Sequence, residues 1–400
     1  MSASARHPTL LGVRTATTLV GLGLLLAACG TEPAGEPASP GTEPAAQDET
    51  QDPAAQTDGA TDEATDGGAG ETPLEAVYAE VEGLDVEARR ARLAELAEAE
   101  DGALQFYTSM NSDQATPWLD AFGQDTDVEV EYVRGSAGDV LNRILQEEQA
   151  GYRGADVISN TGPEVLVLAR ENVCGPLQIL NADELLEGTV HPTFAASGLN
   201  VFVPVWNADV IDSPPTTWEE ALETERMVFD PRDYQWFMTL VEGYLMGQQG
   251  LTEEEAIQLV TEAMQGDATP VEGHSTGMEL LAAGEFALHP SQYHHQTAIF
   301  DEASAVEWEP IIEPLIVQQN GVCIHGDTER PASSLLFVDW ALSAQGQELY
   351  AGLGRDAASA AIEGSVINGR DSLVIDLDKT LDEQEKWEGL FEELVRGATS

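Results

Sequence analysis

Residues 103–170, ALQFYTSMNSDQATPWLDAFGQDTDVEVEYVRGSAGDVLNRILQEEQAGYRGADVISNTGPEVLVLAR, pass through strand, loop and helix three times. The short stretches at 103–107, 128–133 and 154–158 carry alternating or continuous apolar residues and read as strands. Each leads into a polar loop (108–111, 134–138 and 159–162) and then into a helix (117–122, 139–149 and 163–170). Strands alternating with helices build βαβ units and a mainly parallel sheet covered by helices, so the fold class is α/β. Open sheets of this kind bind ligands at the carboxyl ends of their strands. Those loops are therefore where binding residues are expected.

Downstream the pattern starts again. A strand at 201–205 (VFVPV) leads to a capped helix start at Thr217, and 227–231 is a strand with a polar exit at Asp230. Helices are expected over 236–247 and 253–265. Ser275-Thr276-Gly277 precede a helix at 278–283, and a strand at 286–288 runs toward Tyr293-His294-His295. Residues 306–317 read as extended, 330–353 as helices, and the last amphipathic helix falls near 383–395. About 330 residues follow Glu71, enough for two packed lobes with substantial cores.

Upstream, 74–100 reads as one or two amphipathic helices. Residues 30–70 hold ten acids and neither lysine, arginine nor an aromatic residue. Such a stretch cannot bury enough apolar surface to offset its ordering entropy, and its charges repel, so it reads as an extended acidic leash. Before it, Arg6 and Arg14 precede the apolar run TLVGLGLLLAA (18–28), which ends in Leu26-Ala27-Ala28-Cys29. The run is short for a permanent span and reads as a secretory signal. Its LAAC ending resembles the lipobox of bacterial lipoproteins, which implies cleavage before Cys29 and acylation of that cysteine. A cysteine that merely ends an ordinary signal is the competing reading.

Beyond the leash the chain keeps 62 of its 72 acids and 15 of its 17 basic residues, a balance of −47. So negative a field excludes nucleic acid and direct binding to anionic lipid as partners. It reads either as attraction for cationic ligands or as adaptation to high salt. The spread of the acids along the chain and the near absence of lysine favour salt adaptation. With Cys29 assigned to lipid, Cys174 and Cys323 remain. In an oxidising compartment they read most simply as a disulfide, against two buried free thiols.

At the strand exits stand Ser109 and Asn111, then Ser136, then Asn160 and Thr161, with Asp230 and Ser275-Thr276 in the second unit. Ser136 also suits the cap of the next helix, whose free amides favour an anionic group. Any one of these residues equally fits a plain cap or turn. The set carries the binding reading.

Four segments in order carry a resemblance: LQFYTSMNSDQATPWLDAF, VEVEYVRGSAGDVLNRILQEEQAGYRGADVI, LLAAGEFAL and RPASSLLFVDWALSAQGQELY. Over about 95–365 the chain resembles the extracellular solute-binding proteins of bacterial ABC importers, in the subgroup of ferric-iron-binding proteins with the type II periplasmic-binding fold. The resemblance implies two α/β lobes joined by crossing strands, with lobe 1 at 101–204 plus 309–400 and lobe 2 at 205–308. Signal (1–28), acidic linker (29–73) and helical segment (74–100) precede them. It also implies that Cys174 and Cys323 share lobe 1, and that the chain is a monomer held to the outer face of the cell membrane by lipid. There it would pass a small solute to an ABC permease, with no cofactor required.

Ferric relatives carry adjacent tyrosines about ten residues past a Gly-Glu matched here by Gly284-Glu285. Tyr293-His294-His295 occupy that place, so these three are candidate ligands of a transported Fe3+ or other metal, against the competing reading of histidines that hydrogen-bond an organic ligand or are simply solvated. The first lobe departs from the ferric pattern. Asn111 and Asn160-Thr161 stand where such relatives often place a histidine and a glutamate. A metal-dependent extracellular hydrolase would use the same histidines, but the chain holds no HExxH, GxSxG or Walker A sequence. A surface or sensory lipoprotein without transport is the remaining alternative.

Overall fold

The computed structural model describes residues 72–297 and 304–399, all inside one compact unit, Gly67–Ser400. The signal, Cys29 and the leash up to residue 71 lie outside the described residues. Thr72 caps the first helix, Pro73–Val81, by a capping box with Glu75, and Asp85 caps the second, Val86–Ala97.

The strands are β1 (Leu104–Thr108), β2 (Val130–Arg134), β3 (Val157–Thr161), β4 (Ala195–Asn207), β5 (Met227–Phe229), β6 (Ala268–Pro270), β7 (Leu288–Tyr293), β8 (Val306–Glu307), β9 (Leu315–Ile324) and β10 (Ser372–Val374). They form one sheet in the order β2-β1-β3-β9-β4-β7-β5-β6, with β10 on β9 and β8 on β4. Strands β2, β1 and β3 run parallel on one side, and β7, β5 and β6 run parallel on the other. Between them β9 and β4 cross antiparallel, paired from Ala195↔Val322 to Phe202↔Ile316. Every residue of β4 is buried, as a strand covered on both faces requires. The fold is thus two α/β lobes joined by two long crossing strands.

Each lobe has its own aromatic core. In the first, Trp118 and Phe122 from helix Ser112–Thr126 meet Phe337 and Trp340. In the second, Trp236 and Phe237 pack with Trp218, Trp387 and Phe391. The last two lie on the final helix, Gln384–Ala398. Residues 309–400 therefore do not return in full to lobe 1. Trp387, Phe391 and Leu394 form a stripe at helical spacing that buries itself in the second core. The Cys174–Cys323 disulfide is present, with Cα atoms 5.7 Å apart. It lies beside Ile158 and Val165 in the first lobe.

Several boundaries differ from the expected ones for physical reasons. The helix expected from Pro117 starts at Ser112 and carries Pro117 inside, because Ala115, Trp118, Leu119 and Phe122 all gain burial. Strand β3 extends through Ser159-Asn160-Thr161, expected as loop, because β9 pairs with all three. The helix expected from 278 starts at His274. Strands β6 and β10 are three residues each, too short for a periodic signal.

Candidate functional site

The carboxyl ends of β1, β2, β3 and β7, together with the segment after β5, open on one cleft of about 540 Å3 floored by β4 and β9. That volume suits a small solute. Of the expected residues, Ser109, Asn111, Ser136, Asn160, Thr161, Tyr293 and His295 line it. Asp230, Ser275, Thr276 and His294 do not. Ser275 and Thr276 are exposed in the first turn of their helix, and Asp230 is fully buried behind the cleft wall.

Several lining residues are already committed to structure. Ser136 caps helix Ala137–Gln149 by accepting from the Asp139 amide at 3.2 Å, and its own hydroxyl donates to the Asp139 carboxylate at 2.7 Å. The helix end thus already faces a carboxylate. Buried Asn160 donates to the Ala137 carbonyl at 2.9 Å and accepts from the Thr161 amide at 2.9 Å, tying β3 to that helix. Thr161 donates its hydroxyl to Glu164. Asn111 accepts from Arg134 Nη2 at 2.9 Å.

The residues not anticipated are mostly cationic or amide: Arg134, Arg232, Arg355, Asn200 and Asn320. Arg355 sits past helix Ala344–Gly352. Its Nη2 donates to Asn200 Oδ1 at 3.0 Å and its Nη1 lies 2.9 Å from His295 Nε2. Burial, aided by the Arg355 charge, holds the His295 imidazole below its ordinary pKa. A neutral His295 accepts from Arg355 and turns its Nδ1 toward Asp356, 3.7 Å away. His294 instead pairs its Nδ1 with Asp356 at 2.6 Å and lines an adjoining recess with Trp308. Burial would raise the Asp356 carboxyl, but the hydrogen bond with His294 and the nearby His295 imidazole reverse this and hold it at about 2. The Tyr293-His294-His295 triplet is thereby split, since two members face the cleft and the third faces Asp356.

From exposed Arg232 in the second-lobe wall a relay runs inward. Arg232 donates to both oxygens of Asp230, at 2.9 and 2.6 Å. Asp230 also accepts from the Gly273 amide at 2.9 Å. Burial alone would raise its pKa, but Arg232, His274 and these amides keep it below the usual carboxylate range. His274 then meets Asp233 through Nε2 at 3.1 Å. Tyr293 stacks on His274 at 4.0 Å, and burial beside Asp233 and Asp230 pushes its phenol far above its ordinary pKa. Tyr293 is therefore a neutral phenol in this surrounding, and becomes a phenolate only against a strong local positive charge. Among the described residues no three His, Cys, Asp or Glu side chains gather as a metal site.

One signal in the sequence bears on the missed residues. With 17 basic residues against 72 acids, an arginine at a strand exit, such as Arg134 at the end of β2, stands out.

Comparison with known proteins gives consistent results. The profile of the bacterial extracellular solute-binding proteins matches residues 118–360. No curated protein sequence matches. Many solved structures share the fold, among them the following three. Trichodesmium IdiA (FutA) in complex with iron and citrate has a TM-score of 0.61 at 14% identity, over 73% of this chain and 99% of that one. Iron-bound HitA from Pseudomonas aeruginosa gives 0.57 at 16%, over 74% and 99%. AfuA from Actinobacillus pleuropneumoniae with fructose-6-phosphate gives 0.56 at 18%, over 74% and 99%.

Proposed function

The chain belongs to the bacterial extracellular solute-binding proteins, and from that premise we propose that it captures a small solute in the interlobe cleft as the binding component of an ABC importer. One observation carries the reading: strand ends from both lobes converge on a single polar cleft whose floor is the pair of crossing strands. Rotation about β4 and β9 would close the lobes on a bound solute, and a membrane permease would receive it.

The lobes divide near residues 204 and 309, with the final helix riding on the second. Ser109, Asn111, Ser136, Asn160 and Thr161 contribute from the first lobe, Tyr293 and His295 from the second. Ser275 and Thr276 stand outside, and Asp230 acts through Arg232. Were the cargo ferric iron, as in two of the structural neighbours, Tyr293 and His295 are the groups that would meet it. The chain works outside the cytoplasm as a monomer, tethered through acylated Cys29, and no helix among the described residues is long and apolar enough to cross a membrane. It turns nothing over.

Native mass spectrometry of the full chain purified in detergent tests this. The expected result is one co-purifying or added solute per chain, released unchanged, and an acyl mass on Cys29 that Cys29→Ser removes. Conversion of the solute to product would favour the hydrolase alternative, and a chain that captures nothing would favour a structural or sensory lipoprotein.

A further inference from the structure

In a chain with 72 acids and 17 basic residues, the cleft is lined by three arginines and by no aspartate or glutamate. That inversion of the overall charge is local and specific. Among the described residues, most arginines and both lysines sit in ion pairs. Arg226 and Arg370 have no carboxylate partner but are spent on main-chain carbonyls, at Gly284, Glu285 and Val366. The other two arginines without a carboxylate partner, Arg134 and Arg355, both line the cleft.

Their partners are neutral. Asn111 Oδ1 orients Arg134, and Asn200 Oδ1 with His295 Nε2 orients Arg355. Neutral acceptors fix the direction of a guanidinium without cancelling its charge. Arg355 also keeps its buried Nε without a hydrogen-bond partner. Arg355 is largely withdrawn from solvent, where a cation without a carboxylate partner costs stability, whereas Arg134 is exposed. The third arginine, Arg232, is braced from behind by Asp230. Arg134 comes from the end of β2, Arg232 from the segment after β5, and Arg355 from the loop after helix Ala344–Gly352. Lobe closure would therefore gather all three around one bound group.

We propose that the ligand of this cleft is an oxyanion, a carboxylate or a phosphate ester, clamped by Arg134, Arg355 and Arg232. Guanidinium forks match the paired oxygens of both groups. A bare metal cation instead meets two guanidinium charges, Arg134 and Arg355, that no carboxylate pairs, with Arg232 offset by Asp230, so a metal would enter only inside an anionic chelate. The proposal rests on the cleft being the solute site, and its test separates the two.

The full chain is titrated calorimetrically at matched ionic strength with citrate and succinate, with inorganic phosphate and a sugar phosphate, and with ferric iron alone, choline and glucose. At least one oxyanion should bind one per chain, and the carboxylate and phosphate arms distinguish the two sources of that chemistry. Arg134→Gln and Arg355→Gln should each weaken it about 10- to 100-fold, the range of a charge-assisted hydrogen bond. Arg134 is exposed, so its variant reports even where loss of Arg355 disturbs folding. Binding of iron alone, choline or glucose, with the oxyanions inert at millimolar concentration, would overturn the oxyanion proposal and leave solute capture standing. So would unweakened oxyanion binding by Arg134→Gln. Binding of no probe, with nothing co-purifying, would overturn both.

Discussion

His274 and His289 stack with their ring centroids 5.8 Å apart and their planes within 24°, yet their charge preferences are opposite. Burial works against the His274 imidazolium, but the adjacent Asp233 and Asp230 outweigh it and raise its pKa. His289 has no hydrogen-bond partner on either ring nitrogen. Burial and the neighbouring His274 charge depress it to about 3. A histidine with a depressed folded pKa adds stability that is complete above its unfolded value of about 6.5 and is lost as pH falls toward 3. His274, with a raised folded pKa, acts in the other direction, and its contribution is lost as pH rises above 6.5 through that raised value. Between pH 6.5 and 4 His289 therefore adds about 3 kcal/mol to the acid slope at 1.4 kcal/mol per pH unit, with His295 and His191, also held below their ordinary values, acting in the same direction. Denaturant midpoints should fall over this range, and His289→Leu should flatten the fall. Equal slopes in parent and variant would show that His289 is not the group responsible.

Gly198 in β4 and Tyr350 in the cleft wall are matched in size. A Cβ built on Gly198 would lie 2.3 Å from the Tyr350 hydroxyl oxygen and 2.3 Å from its ring carbon Cε1. Gly198→Ala must therefore push Tyr350 off the crossing strand and toward the cleft it lines. Overpacking of this kind costs about 1–3 kcal/mol. Solute affinity should fall along with melting temperature. Tyr350 is itself buried against Trp118, so Tyr350→Ala is costly alone, but the double variant should lose less stability than the sum of the two single changes, whereas simple additivity would show that the residues do not collide.

How much of this was legible in the sequence follows from the range of the interactions involved. The β1 and β2 exits were readable because local turn chemistry marks them, and Ser109, Asn111 and Ser136 line the cleft as expected. Asn160 and Thr161 also line it, but from within a strand. The low strand propensity of Asn160, with Gly162 close behind, hid the pairing with Gly321 and Asn320, about 160 residues away. Arg355 gave no local sign, since its neighbours Gly354 and Asp356 read as an ordinary turn and its partners Asn200 and His295 are remote. Asp230 was identified as a polar exit residue, but only packing reveals that it points at Arg232 rather than at the cleft.

The disulfide joins residues 149 positions apart, from the segment after helix Gly162–Arg170 to the end of β9. It ties the crossing strand to lobe 1 and leaves lobe 2 free. Closing so long a loop restricts the unfolded chain strongly, nominally by about 5 kcal/mol, and loss of native disulfides costs about 2–5 kcal/mol in practice. The Cys174→Ser, Cys323→Ser double variant should lose stability in that range while keeping its solute affinity. Neither cysteine lines the cleft, so a proportionate loss of affinity would mean that the bridge also shapes the site through β3 and β9.

The surplus of acids sets the response to salt. With 72 acids against 17 basic residues, most surface carboxylates lie among like charges. The exposed ion pairs that salt would weaken, such as Arg170 with Asp378 and Asp382 or Lys386 with Glu253, are worth at most about 1 kcal/mol each. Repulsion acts among many more groups, and raising salt from 0.1 to 1 M shortens its reach from about 10 Å to about 3 Å. Screening should therefore win, and the melting temperature should rise steadily with potassium chloride. Chloride occupying the arginine cleft could also stabilise the fold, so the series is repeated with Arg134→Gln. Surface repulsion requires the same slope in that variant. A slope that disappears with Arg134 would place the salt effect in the cleft, and a flat or falling curve in both chains would mean that repulsion among the surface acids does not govern stability.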